Sequence, residues 1–149
     1  MKCLFALLFV LLISGCATSD DFPTEKRASA QVGIVNHTGS YIYSASVDGA
    51  GGGQMSAWGA GMANICCTSI PWVWRPGMKV SVRWNMPEGR KDVIKEKIAE
   101  IEKYDEPGDI YMHFFPNDEV RVVVSNTGGW GAKHPIPPPV KPINLNSVK

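Results

Sequence analysis

The sequence predicts a mainly β domain of α+β character: a small antiparallel β-sandwich-like fold with one inserted amphipathic helix. Three observations predict it. Met78–Trp84 alternates, with Val80, Val82 and Trp84 on one face and Lys79, Ser81 and Arg83 on the other. Asp109–Phe115 and Glu119–Val124 are runs rich in β-branched and aromatic residues, separated by the turn residues Pro116, Asn117 and Asp118. Within Arg90–Tyr104, Ile94, Ile98 and Ile101 recur at i, i+4 and i+7 among charged residues, the pattern of a helix with a narrow apolar stripe.

Composition frames these elements. The chain has 149 residues, 44% hydrophobic and 19% charged, which suits a globular body rather than a disordered one. Its formal net charge of +1 offers no broad basic field, so nucleic acid is not an expected partner. Fifteen glycines and eleven prolines make it loop-rich. A large α/β enzyme, a multi-span membrane protein and a coiled coil do not fit these numbers.

In chain order, Lys2 precedes an unbroken apolar run, Leu4–Ile13, followed by Ser14, Gly15 and Cys16. The run is too short for a membrane span, which needs about 20 apolar residues, and suits a signal peptide. The order Ile13-Ser14-Gly15-Cys16 resembles the bacterial lipobox, in which signal peptidase II cuts before a cysteine that is then acylated. Residues 1–15 therefore read as a lipoprotein signal peptide, with Cys16 as the lipidation site. Several acyl chains make such an anchor stable, so the expected location is the cell envelope, with the body facing the periplasm. Ala17 rather than Asp follows Cys16, and resemblance to enterobacterial sorting rules implies the outer membrane.

Residues 16–30 are polar and read as a flexible tether, residues 31–127 as the β-rich globular domain, and residues 128–149 as a Pro-rich tail that either trails in solvent or lies along the domain. Val32–Asn36 and Tyr41–Val47 read as strands of a hairpin around His37–Ser40. Gly49–Gly61, with Gly51, Gly52 and Gly53 at its centre, reads as a loop.

Once Cys3 leaves with the signal and Cys16 is acylated, Cys66 and Cys67 remain. In an oxidising compartment they form a vicinal disulfide, stay as two buried thiols, or pair between molecules. No second cysteine pair or ordered histidine cluster accompanies them, so no metal site is expected. His37, His113 and His134 fall in a turn, a strand and the tail, and no nucleophile motif or phosphate loop is present. No catalytic residues and no cofactor are expected. Binding residues are the better candidates. Asp48 opens the Gly-rich segment, whose Gly51, Gly52 and Gly53 permit close backbone approach, and Trp58, Trp72, Trp74 and Arg75 are residue types enriched at binding hot spots. Trp72 and Trp74 equally suit one face of a strand packed on the core.

The runs SVDGAGGG (Ser46–Gly53), ICCTSIP (Ile65–Pro71) and WRPGMKVSVRW (Trp74–Trp84), with the later YDEPGDIYMHFFPNDEVRVVVS (Tyr104–Ser125), resemble a family of short proteobacterial lipoproteins carrying a domain of unknown function. The family is similar to immunity proteins encoded beside type VI secretion lipase effectors. The resemblance implies a membrane-anchored lipoprotein that binds and neutralises a secreted phospholipase; the alternative is a structural or envelope-assembly lipoprotein with no toxin partner. The family's Phe-Pro turn often carries a cysteine where this chain has Asn117, so the resemblance implies no bridge from Cys66 or Cys67 to that turn.

Overall fold

The computed structural model describes residues 24–143. The signal peptide, Cys16 and the first part of the expected tether lie outside the described residues. Eight strands form: β1 (Arg27–Asn36), β2 (Ile42–Val47), β3 (Ala50–Met55), β4 (Ile65–Pro71), β5 (Lys79–Asn85), β6 (Ile94–Glu100), β7 (Asp109–Phe114) and β8 (Val120–Ser125). They build two four-stranded sheets, one ordered β4-β1-β7-β8 and the other β3-β2-β5-β6. The mainly β, two-sheet expectation holds. Among the described residues the only helical segment is a 3₁₀ turn, Pro116–Asp118, at the tip of the expected β7–β8 hairpin.

The core lies between the sheets. Val32 and Ile34 of β1, Ile110, Met112 and Phe114 of β7, and Val120, Val122 and Val124 of β8 face Ile42, Ala45, Val47, Val80, Val82 and Trp84 of the second sheet. The alternation read in Met78–Trp84 is correct: Val80, Val82 and Trp84 are the buried set. The first sheet is different, because Val32–Asn36 and Ile110–Phe114 are buried without alternation. Its outer face is also covered. The chain after Ser125 folds back across it, so that Ile136 packs with Val35, Ala63, Tyr111 and Val123 in a second apolar cluster, and Gly129 donates its N–H to the Gly61 carbonyl at 2.9 Å. A sheet covered on both faces has no polar side to alternate with. Residues 128–136 of the tail therefore lie along the domain, whereas Val140 and Ile143 stand out in solvent.

Several expectations are corrected. The inserted helix at Arg90–Tyr104 is absent; Ile94–Glu100 is the edge strand β6, paired antiparallel with β5 from Asn85↔Ile94 to Lys79↔Glu100. A spacing of four is an even number, so it places Ile94 and Ile98 on one face of a strand as readily as of a helix. The odd step to Ile101 separates the readings: Ile101 is buried, whereas Ile94 and Ile98 are 53% and 60% exposed.

The Gly49–Gly61 loop contains strand β3. Gly52 is an extra residue in its ladder with β2, where Ala45 pairs with Gly53 and Ser46 with Gly51. Gly51 has φ +125°, and a Cβ there would sit 2.7 Å from the Ala45 carbonyl oxygen. Glycine permits the bulge rather than preventing the strand.

The β1–β2 hairpin is also absent, because the two strands belong to opposite sheets. Buried Asn36 turns the chain across the end of the sandwich: its amide donates to the carbonyls of Ser40 (2.7 Å) and Ser56 (3.0 Å), and its oxygen accepts from the Thr38 N–H (3.0 Å) and hydroxyl (2.8 Å). β1 instead pairs parallel with β7, from Val32↔Ile110 to Asn36↔Phe114, so the first sheet is mixed rather than antiparallel. The second sheet supplies the long crossover that a parallel pair requires. β1 begins at Arg27 rather than Gln31, so residues 27–30 of the expected tether are strand.

Candidate functional site

The strand registers divide the predicted binding residues between the two ends of the sandwich. Arg27, Pro71, Asp109 and Ser125 share one end of the first sheet. The turn after Val47 and the start of β5 lie at the same end of the second. Here the described chain begins, and here stand Asp48, Trp72, Trp74 and Arg75. Asp48 accepts the Ser81 N–H at 2.8 Å and locks the β2–β3 turn to β5. Trp74 points inward and donates its indole N–H to the Ile101 carbonyl at 2.8 Å, so it packs on the core although it lies beyond β4 rather than on a strand. Trp72 remains 40% exposed, with the Lys26 ammonium 3.9 Å above its ring. Arg75 pairs with Glu25, which also holds Arg27 at 3.3 Å.

Trp58 lies at the opposite end, half-buried over Gly39, with its N–H on the Thr38 carbonyl at 3.0 Å. The candidate binding residues Trp58 and Trp72–Arg75 therefore fall into two separate groups. Gly51, Gly52 and Gly53 run between the ends on edge strand β3.

A disulfide joins Cys66 to Cys67. Both sit on edge strand β4, where Ala30 pairs with Thr68 and Val32 with Ile65. The cysteine pair thus opposes Gln31 alone and forms the bulge in that ladder.

The two outer faces of the sandwich differ. The first is closed by the tail. The second is open, and it carries exposed Arg83, Ile94 and Ile98, with Tyr43 59% exposed on neighbouring β2. A shallow depression of about 210 Å³ on this face is lined by Ser44, Ser46, Gly52, Arg83, Asn85 and Ile94. Small side chains make it shallow, and Ile94 and Arg83 give it an apolar and cationic rim.

Tertiary structure also assembles a group that the sequence scattered: His37, His113 and His134 form one hydrogen-bonded chain. His37 Nε2 lies 2.9 Å from His113 Nδ1, His113 Nε2 lies 2.9 Å from His134 Nε2, and His134 Nδ1 lies 2.9 Å from the Thr127 carbonyl. A carbonyl only accepts, so the neutral chain has one direction: His134 donates to Thr127, His113 to His134 and His37 to His113. Phe115 stacks on His37 at 4.2 Å and Tyr111 meets His134 edge-on at 4.7 Å.

Burial lowers all three histidine pKa values. His113 is pushed down to about 2 by burial first, then by His134, His37 and Arg121. Arg121 adds to the burial effect at His37, whereas the bond to Thr127 partly opposes it at His134. The three rings are thus bonded in series to the Thr127 carbonyl and uncharged at neutral pH. Among the described residues no group of three or more His, Cys, Asp or Glu is arranged to hold a metal. The chain's chemistry is to fasten the tail to the sheet. No local spacing announces it, since its bonds span 76 and 21 positions.

Among the described residues no helix is long and apolar enough to cross a membrane. The chain matches no curated protein and no solved structure. Residues 35–122, from the end of β1 into β8, match the family described as Protein of unknown function (DUF3304), a span that includes His37, His113, the vicinal cysteines and the open face but not the tail. With more than half its length matched, the chain belongs to that family.

Proposed function

We propose that this protein is a lipid-anchored, periplasm-facing envelope protein that acts by binding rather than catalysis, and that it neutralises a type VI secretion phospholipase effector as an immunity protein. The lipobox Ile13–Cys16 supports the anchor, and Ala17 supports the outer membrane. The family resemblance supports the effector as partner. One structural observation carries the binding role: the sandwich closes one outer face with its own tail and leaves the other open, with Ile94 and Ile98 exposed beside Arg83. A rigid sheet face with apolar anchors and an arginine binds without spending much entropy on ordering loops.

The test is intoxication. Deleting the gene should make cells susceptible to the neighbouring lipase effector, and restoring the full chain should rescue them. A deletion strain that survives competition unharmed, with the effector active, would remove the toxin partner and leave the envelope-assembly role.

A further inference from the structure

Trp72, Trp74 and Arg75 stand at the end of the sandwich where Glu25 and Lys26 enter β1. We propose that the Trp72–Arg75 loop is a bilayer seat, resting on phospholipid headgroups at the tethered end of the sandwich; this rests on the lipoprotein reading given above. The described chain begins at Thr24, at the same end as this loop. If Cys16 is acylated, residues 17–24 are all that separate the anchor from Glu25, the first residue paired to the body, and eight residues reach at most about 29 Å when fully extended. A folded protein partner has little room in that gap, whereas a headgroup layer is already there.

The loop's chemistry fits the layer. Trp72 and Val73 are 40% and 71% exposed and adjacent. Lys26 over the Trp72 ring, together with Arg27 and Arg75 sharing the single carboxylate of Glu25, gives the patch an excess of positive charge. An indole with apolar and cationic neighbours is the composition favoured at membrane interfaces. The loop is also held in shape: Trp72 donates its N–H to the Lys26 carbonyl at 2.8 Å, Tyr104 donates to the Pro71 carbonyl at 2.6 Å, and Trp74 is bonded to Ile101. Its exposed pair is therefore presented ready-made, and seating it costs little ordering.

The experiment uses the full acylated protein reconstituted in phosphatidylethanolamine–phosphatidylglycerol vesicles. A nitroxide on Val73→Cys should be shielded from an aqueous nickel chelate at least about fivefold more than one on Ile98→Cys on the open face. In the unlabelled protein, brominated lipids should quench part of the tryptophan emission, and W72F should remove that part. Equal exposure of the two labels and no lipid quenching, in protein that floats with the vesicles, would overturn the seat and leave the anchor intact. Protein that carries no acyl mass and does not float would overturn the lipoprotein reading and the seat with it.

Discussion

His113 is a polar side chain with no exposed surface, one residue before the end of β7 and between two apolar clusters. It is tolerated because both ring nitrogens are hydrogen-bonded, which removes the penalty of a buried unsatisfied group. The arrangement requires neutral rings. An unfolded histidine takes up a proton as pH falls through 6.5, but folded His113 does not until about 2. The unfolded state therefore binds more protons across that window, so this stability is complete above 6.5 and is lost as pH falls below it. Chemical denaturation at pH 7 and pH 5 should show a loss on the order of 1 kcal/mol per pH unit from His113 alone. H113F should flatten that dependence even if it lowers stability overall. The glycine triplet gives a second residue-level outcome. Gly51 combines φ +125° with a Cβ position against the Ala45 carbonyl, whereas Gly52, at φ +114°, has open space. G51A should cost about 2–4 kcal/mol and G52A only the conformational share, about 1–2 kcal/mol, as read by thermal or urea unfolding. Equal losses would mean that the backbone contact to Ala45 contributes nothing.

At the scale of elements, β6 and the tail depart furthest from the sequence reading. β6 carries the apolar spacing of a helix, but β5 offers it a full ladder of partners. Lys95 and Lys97 on this edge strand reach the Asp118 carboxylate and carbonyl. A charged edge of this kind discourages pairing with another chain. Among its described residues the Pro-rich tail has no strand or helix, yet Ile136 is 4% exposed and His134 closes the histidine chain. Ile136→Ala should cost about 2–4 kcal/mol, a core-like value for a residue outside every regular element. Removing the chain from Gly129 onward should cost more, and should expose Val35, Tyr111 and Val123 to a hydrophobic dye at neutral pH. Stability unchanged by truncation would show that the tail does not cover the sheet in solution.

At the scale of the whole molecule, the sandwich has a polarity. Its N-terminal end gathers Trp72, Arg75 and the cations beside Glu25; its far end gathers Trp58, Asn36 and the Pro116–Asp118 turn; one face is closed and one open. In the proposed reading this division separates the membrane-facing end from the partner-facing sheet. I94D together with I98D should leave unfolding stability within about 0.5 kcal/mol of the parent, because both side chains are already in solvent. The same double variant should abolish protection against the effector. Protection that survives it would move the binding surface to another face. W72A should leave protection largely intact, since the proposed acyl anchor at Cys16 would still hold the body at the membrane.

What the sequence determined by itself was local. Two-residue alternation marked β5 because one face of the open sheet is dry and the other wet, and the Pro116–Asp118 turn marked the β7–β8 hairpin because turn chemistry acts over a few residues. The cysteine pair was legible as neighbours in the chain, but its bond to itself was one of three outcomes the residues left open. Tertiary structure alone decided the rest. Whether Ile94 and Ile98 lie on a helix or an edge strand depends on the presence of β5 beside them. Whether Val32–Asn36 pairs with the next strand or with one more than seventy positions away depends on which layer each strand joins. Three histidines become one hydrogen-bonded chain only when a turn, a strand and a tail meet over the same sheet, and contacts at that separation leave no periodic trace in the residues between them.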